Sequence, residues 1–417
     1  MQYKISPPQY IHSTIQLPAS KSICNRALII NALAQGKVMP ENLSDCDDTQ
    51  VILRALQDLP DTIDIKAAGT AMRFMAAFLA VTDGEHTITG TERMRHRPIQ
   101  VLVDALRYLG AEISYEGEEG FPPLRIRGKE LEGGKVEIPG SVSSQYISAL
   151  LMIGPVMKKG IELTLTGTII SRPYIDLTIH LMHDFGARVT WTDMRTIKAE
   201  PGGYTLRPFQ IENDWSAASY WYEIMTLCED LRAEIQLPGL CDSSRQGDSG
   251  VRYLFSMLGV KTIFEDKDSG NPTTVTLRKV HSVLPRLDYN FINQPDMAQT
   301  FVVCCALRDV PFHFTGLESL KIKETDRMEA LKTEMRKLGY VIRDVDGKEL
   351  IWDGERCEAS FDPIDTYEDH RMAMAFAPVA LKIPGLRINN PQVVSKSYPL
   401  FWKHLEQVGF NIQQTEG

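Results

Sequence analysis

Six times along this 417-residue chain a short amphipathic helix pattern closes on a Gly or Pro, and ahead of each lies an almost wholly apolar helix pattern. The closing segments are 47–60, 97–110, 172–186, 248–259, 326–339 and 398–409. Apolar residues stand one, four and eight places before the terminator, as in Leu59, Leu56 and Ile52 or in Leu338, Met335 and Leu331, so one helical face is written repeatedly. The third copy breaks this register: Thr178 occupies the eighth place, while Phe185 and Met182 hold the other two. The apolar partners begin near Ser20, Ala68, Ser141, Asn213, Pro295 and Glu368, mostly with residues that cap a helix or suit its first turn. A repeat of this kind predicts stacked copies of one supersecondary unit. The apolar helix is too greasy to face water, so it is expected beneath the amphipathic one. Past the terminating Gly, the alternating stretches 111–115, 260–264 and 340–342 read as half-buried strands.

At this length one core is not enough, and two domains of three copies each are expected. The net charge of −9 and pI near 5.6 provide no long-range positive field for nucleic acid or an anionic membrane, so neither is an expected partner. Any anion site must be a local concentration of charge. The longest apolar stretch, 147–157, is interrupted by Gly154 and Pro155 and falls short of a span, and the N-terminus has no charged-then-apolar signal pattern. A cytoplasmic protein is expected. The seven cysteines include no C-x-x-C pair, which suggests neither a disulfide framework nor a zinc ribbon. His180 and His183 could share one helix face, but no third metal ligand stands nearby in sequence, and they read as solvated histidines. Neither G-x-x-x-x-G-K-[ST] nor G-x-G-x-x-G occurs, so nucleotide cradles of those kinds are unsupported.

The chemistry gathers where the helices begin, at the positive ends where anions bind. The first apolar helix opens with Lys21, Ser22, Asn25 and Arg26, able to hold a phosphate by charge and hydroxyl donation. Gly69 opens the second and would let a ligand approach the backbone, while Arg97 precedes a proline at the next helix start. Ser143, Ser144 and Gln145, with Ser171 further on, supply more neutral donors than capping requires, and they suit a polyhydroxylated ring bearing an anionic group. Lys323, Glu324 and Arg327 form the densest charge cluster, with Asp296, Arg371 and Lys396 at the remaining helix starts. Seven cations, Lys21, Arg26, Arg97, Lys323, Arg327, Arg371 and Lys396, fall at equivalent places in four of the six copies. Independent surface charges have no reason to keep that register. Set against Asp296 and Glu324, they nearly match two phosphates and two carboxylates, taking about −2 for each phosphate. Two small, highly anionic substrates are expected.

The segments LPASKSICNRAL, AGTAMR, RMRHRPI, SVSSQ, SRPYID, KIKETDR and TYEDHRMAM, in that order, resemble the 5-enolpyruvylshikimate-3-phosphate (EPSP) synthase family across essentially the whole chain. The resemblance implies an α/β fold in two domains, each of three β-α-β-α-β-β units, with helix N-termini facing an interdomain cleft. One domain would hold residues 21–211 and the other 1–20 with 212–417, hinged near 20 and 211. The implied reaction transfers the enolpyruvyl group of phosphoenolpyruvate to the 5-hydroxyl of shikimate 3-phosphate by addition and elimination, on the route to chorismate and the aromatic amino acids. Carried over by position, Lys21, Ser22, Arg26, Ser143, Ser144, Gln145, Ser171 and Lys323 would contact shikimate 3-phosphate. Phosphoenolpyruvate would meet Lys21, Gly69, Arg97, Gln145, Arg327, Arg371 and Lys396. Asp296 would accept the hydroxyl proton, Glu324 would donate to the methylene carbon and later reclaim the proton, and Lys21 would assist at the bridging oxygen. No metal or organic cofactor is implied, and a monomer is expected.

Two positions depart from the family pattern: Ala67 stands where many members place Asn, and Phe74 where Pro is frequent. The related UDP-N-acetylglucosamine enolpyruvyl transferases typically carry Asn after the first-motif Lys and a reactive loop Cys. Here Ser22 follows Lys21 and no such cysteine is found. A non-catalytic anion-binding homologue is the other alternative, against which stand both candidate carboxylates and all seven cations.

Overall fold

The computed structural model describes residues 1–36, 38–267 and 270–415. The chain divides into two compact lobes, one of Ala19–Ile211 and one of Met1–Pro18 with the chain from Glu212 onward. Each has its own apolar core, centred on helices Gly69–Ala80 and Ser144–Ile153 in the first and on Trp215–Leu227, Ala298–Leu307 and His370–Phe376 in the second.

The helix pairs expected from the repeat are present. Lys21–Leu33 precedes Asp47–Asp58, Gly69–Ala80 precedes Gln100–Tyr108, and Ser144–Ile153 precedes Arg172–Asp184. In the other lobe Trp215–Leu227 precedes Val251–Met257, Ala298–Leu307 precedes Arg327–Lys337, and His370–Phe376 precedes Phe401–Val408. The first member of a pair is the apolar one: every residue of Gly69–Ala80, Ala298–Leu307 and His370–Phe376 is buried. The second member buries one face only, as in Gln100–Tyr108, where Leu102, Val103, Ala105 and Leu106 point inward. The terminators work through backbone conformation. Gly110, Gly186, Gly259, Gly339 and Gly409 all have φ between 80° and 104°, a left-handed geometry that ends a helix and penalises a Cβ.

The strands repeat one order. Thr62–Asp64 runs parallel to Gly84–Thr89, which pairs antiparallel with Leu124–Gly128, and that strand pairs antiparallel with Glu112–Tyr115. The same order recurs in the sheets built on Ile161–Thr166, Glu234–Leu240 and Phe312–Thr315. In the sheet built on Glu234–Leu240, the parallel partner is His12–Thr14, so residues 19–211 are inserted into a single β-α-β connection. The fifth sheet borrows from the chain's start: Gln2–Ser6 lies antiparallel between Leu386–Asn389 and Asn411–Thr415, and Ile364 bridges Ile388 in parallel.

Two sequence expectations need correction. The copy beginning at Lys21 keeps both helices, but among the described residues its strands are reduced to one parallel bridge, Glu41 to Gln210. Residues 34–46 carry Gly, Pro and Asn without alternation, so nothing there favours a strand. Of the strand expected at 340–342, one antiparallel bridge from Tyr340 to Arg356 is present, and the strand itself lies at Arg343–Val345. The Tyr340 amide is spent on the end of the preceding helix, donating to the Met335 carbonyl, and Val341 donates to Glu355. Among the described residues no helix is long and apolar enough to cross a membrane.

Candidate active site

In the lobe containing Lys21, the helix Lys21–Leu33 turns its polar first turn and a half toward neighbouring helices. Lys21 Nζ pairs with Asp48 Oδ2 at 3.0 Å. Arg26, one turn further in, is 2% exposed. Its Nε donates to Thr178 Oγ1 at 2.7 Å, one terminal nitrogen to the Ser22 carbonyl at 2.9 Å, and the other to Ser148 Oγ at 3.1 Å. The Phe74 ring lies 5.3 Å from its guanidinium carbon, so the residue that departs from the family pattern packs against this cation. No Asp or Glu among the described residues forms an ion pair with Arg26, and burial lowers its pKa to about 10. A cation held by hydroxyls, a carbonyl and a ring keeps its whole charge available.

The helix Gly69–Ala80 links this arginine to a second cluster. A Cβ at Gly69 would lie 2.5 Å from Arg73 Nη1 and 2.6 Å from Arg97 Nη1. The space left by the missing side chain is therefore filled by two guanidinium groups, where the sequence suggested a ligand. Gln145 Oε1 accepts from Arg73 at 3.1 Å and its Nε2 donates to Thr70 Oγ1 at 2.8 Å, so this amide ties two apolar helices together at their first turns. Ser143 caps its helix through the Gln145 amide, Ser144 is buried, and Ser171, at φ 54°, makes no capping bond. The surplus hydroxyls are thus Ser144 and Ser171.

The other lobe holds a continuous ion-pair network. Asp296 Oδ1 meets Arg327 at 2.7 Å and Lys323 at 3.3 Å, and its Oδ2 meets Arg371 at 3.4 Å. Glu324 Oε2 meets Arg327 at 2.8 Å and its Oε1 meets Lys396 at 2.9 Å. Asp369, fully buried, takes Arg327 Nε on Oδ2 at 2.6 Å and caps its own helix by accepting from the Arg371 amide at 2.9 Å. Burial pushes the Asp296 carboxyl up, but Lys323, Arg371 and Arg327 outweigh it and hold the group well below the ordinary carboxylate range. Burial likewise disfavours the Arg327 charge, and Asp369, Glu324 and Asp296 together more than offset it.

All six residues expected in this lobe, Asp296, Lys323, Glu324, Arg327, Arg371 and Lys396, therefore belong to one cluster. Their placement at helix starts needs refinement. Arg327 and Arg371 lie in first turns, but Lys323 follows the 3-10 turn Glu318–Ile322, and Lys396 ends the turn Pro391–Lys396. Sequence reasoning also missed partners. Asp48 and Asp369 add two carboxylates to the charge balance, and Tyr220 Oη stands 3.4 Å from Arg371. Thr178 did leave a signal, as the one polar residue in an otherwise apolar register.

The fold matches solved structures of known type. EPSP synthase from Acinetobacter baumannii superposes with a TM-score of 0.79 at 21% identity, over 99% of this chain and all of that one. The enolpyruvyl transferase NikO from Streptomyces tendae gives 0.75 at 14% identity, over 99% and 98%. At the sequence level the profile of EPSP synthase (3-phosphoshikimate 1-carboxyvinyltransferase) matches residues 5–64 and 59–405. The 3-phosphoshikimate 1-carboxyvinyltransferase of Bacteroides fragilis is 58% identical over 417 residues, the whole of both chains, and that of Shewanella pealeana is 34% identical over 98% of this chain and 99% of its own. This is the two-domain fold of repeated βα units on which enolpyruvyl transferases are built. Within it, the chain belongs to the EPSP synthase family.

Proposed function

We propose that this chain carries out its family's reaction, transfer of the enolpyruvyl group from phosphoenolpyruvate to the 5-hydroxyl of shikimate 3-phosphate with release of phosphate, through the three clusters just described. Arg26 carries the reading. It is a buried guanidinium without an acidic partner among the described residues, and an arrangement of that kind is stable when an anion completes it. Lys21, Ser22, Arg26, Ser143, Ser144, Gln145, Ser171 and Lys323 bind shikimate 3-phosphate. Lys21, Gly69, Arg97, Gln145, Arg327, Arg371 and Lys396 bind phosphoenolpyruvate, with Gly69 acting by giving Arg97 its place. In this reading the domains are 21–211 and 1–20 with 212–417, two residues from the observed division between Pro18 and Ala19.

Asp296 accepts the proton of the attacking hydroxyl, Glu324 delivers a proton to the methylene carbon, and Lys21 assists at the bridging oxygen. The hydroxyl oxygen bonds to C2, and phosphate leaves as the methyl proton returns to Glu324. The ion pairs of the two carboxylates support this reading. Each is engaged by cations that also have a substrate anion to bind: Lys323, Arg327 and Arg371 on Asp296, Arg327 and Lys396 on Glu324. When the substrates draw those cations away, the Asp296 carboxyl is released from the charges that depress it and gains proton affinity, and Glu324 is freed of its ion pairs. The enzyme works as a cytoplasmic monomer without metal or organic cofactor. A phosphate-release assay with both substrates tests the reading. Release that requires shikimate 3-phosphate and phosphoenolpyruvate together supports it, and no release overturns it.

A further inference from the structure

Glu334 is fully buried in the helix Arg327–Lys337, two turns from Arg327 and on the same face. Its Oε1 accepts from the Tyr367 phenol at 2.6 Å, and its Oε2 accepts from the Asp365 amide at 3.1 Å and pairs with Lys337 at 2.8 Å. Lys337 in turn holds Asp365 Oδ2 at 2.9 Å. This second tether joins the helix to the segment 365–369, whose last residue, Asp369, forms the first tether through Arg327. Between the two tethers stand consecutive left-handed residues, Tyr367 at φ 53° and Glu368 at φ 56°. Neither is Gly, and such a pair persists only where its surroundings over-determine it.

We propose that Glu334 and Tyr367 are positioning residues for the phosphoenolpyruvate cations. Their hydrogen bond holds the left-handed pair, the pair fixes Asp369, and Asp369 sets both the Arg327 guanidinium and the first turn carrying Arg371. The requirement is geometric, because the two oxygens of Asp369 have separate tasks. Oδ2 takes Arg327 Nε at 2.6 Å, while Oδ1 caps the Arg371 amide at 2.9 Å and lies 3.3 Å from a second Arg327 nitrogen. If the left-handed pair relaxes, both oxygens move together and both cations lose their place. This inference rests on the assignment of Arg327 and Arg371 to phosphoenolpyruvate.

The test is steady-state phosphate release by Tyr367→Phe, Glu334→Gln and Arg371→Lys, varying each substrate with the other saturating. Tyr367→Phe keeps the ring and removes the bond, and it is expected to raise KM for phosphoenolpyruvate about tenfold while KM for shikimate 3-phosphate stays near wild type. Glu334→Gln retains an acceptor for the phenol and is expected to raise it less. A lowered melting temperature with unchanged KM for phosphoenolpyruvate in Tyr367→Phe, or an equal rise for both substrates, overturns positioning. If Arg371→Lys raises KM for phosphoenolpyruvate and Tyr367→Phe does not, the site assignment stands and the positioning role falls. If Arg371→Lys leaves it unchanged, both are overturned.

Discussion

Arg26 Nε donates to Thr178 Oγ1 at 2.7 Å, across 152 residues of sequence and with both side chains buried. The contact satisfies the guanidinium without neutralising it. Thr178→Val keeps the shape and removes the acceptor, leaving a charged donor unsatisfied. The expected result is weaker shikimate 3-phosphate binding by roughly tenfold to a hundredfold, read by calorimetry. Thr178→Asp supplies a carboxylate that claims the charge, and its loss is expected to be larger still. Thr178→Ser, which keeps the hydroxyl, is expected to bind near wild type.

Glu324 is engaged through both oxygens, by Arg327 and Lys396. Glu324→Gln keeps the size and the hydrogen-bonding oxygen but cannot carry the proton. Both substrates are expected to bind, with kcat reduced by about 100-fold to 10,000-fold. Near-normal kcat in this variant removes Glu324 from the mechanism.

Much of this arrangement is legible in the sequence, for a physical reason. Apolar residues at helical spacing report burial, and terminating glycines report a left-handed backbone. Gly110, Gly186, Gly259, Gly339 and Gly409 behave that way. Cations in matching places in successive copies pointed to the residues of the Asp296 network. What sequence could not supply was pairing between distant segments. Nothing local says that Gln2–Ser6 fills the sheet of Leu386–Asn389, or that Asp48 and Asp369 take Lys21 and Arg327 as partners. Such contacts depend on which faces meet after packing. Thr178 was visible as a break in the register, but its reason, Arg26, lies on another helix.

Glu223 sits in the apolar helix Trp215–Leu227, fully buried, with neither oxygen hydrogen-bonded. Burial raises its carboxyl well above the ordinary value. The folded state then holds a proton that the unfolded chain releases above about pH 4, so stability falls as pH rises from there toward the folded value. Glu223→Met is expected to stabilise the protein at pH 7 by roughly 1 to 3 kcal/mol, with the gain fading toward about pH 4. Denaturant melts of both proteins at the two pH values check this. Asp296 acts with the opposite sign: its depressed value stabilises the fold above the unfolded carboxyl value, and that contribution is lost as pH falls through the folded value.

Six of the seven cysteines are buried and Cys357 is partly exposed. Burial pushes the Cys46 thiol up, and burial with Glu212 beside it raises Cys241 to about 12, so neither favours the reactive thiolate. Alkylation of the native protein with N-ethylmaleimide is expected to leave phosphate release largely intact. Prompt inactivation protected by substrate points instead to a cysteine in the reaction.

The central claim is that Arg26 and Lys396 each serve one of two anionic substrates, and calorimetric titration tests it most directly. Shikimate 3-phosphate added to the wild-type protein is expected to bind at one equivalent, with phosphoenolpyruvate binding more tightly after it than before. Arg26→Met is expected to abolish the first binding, and Lys396→Met is expected to weaken the second while sparing the first. No heat from either substrate, or losses in the two variants that bear no relation to the substrate assigned, would contradict the claim.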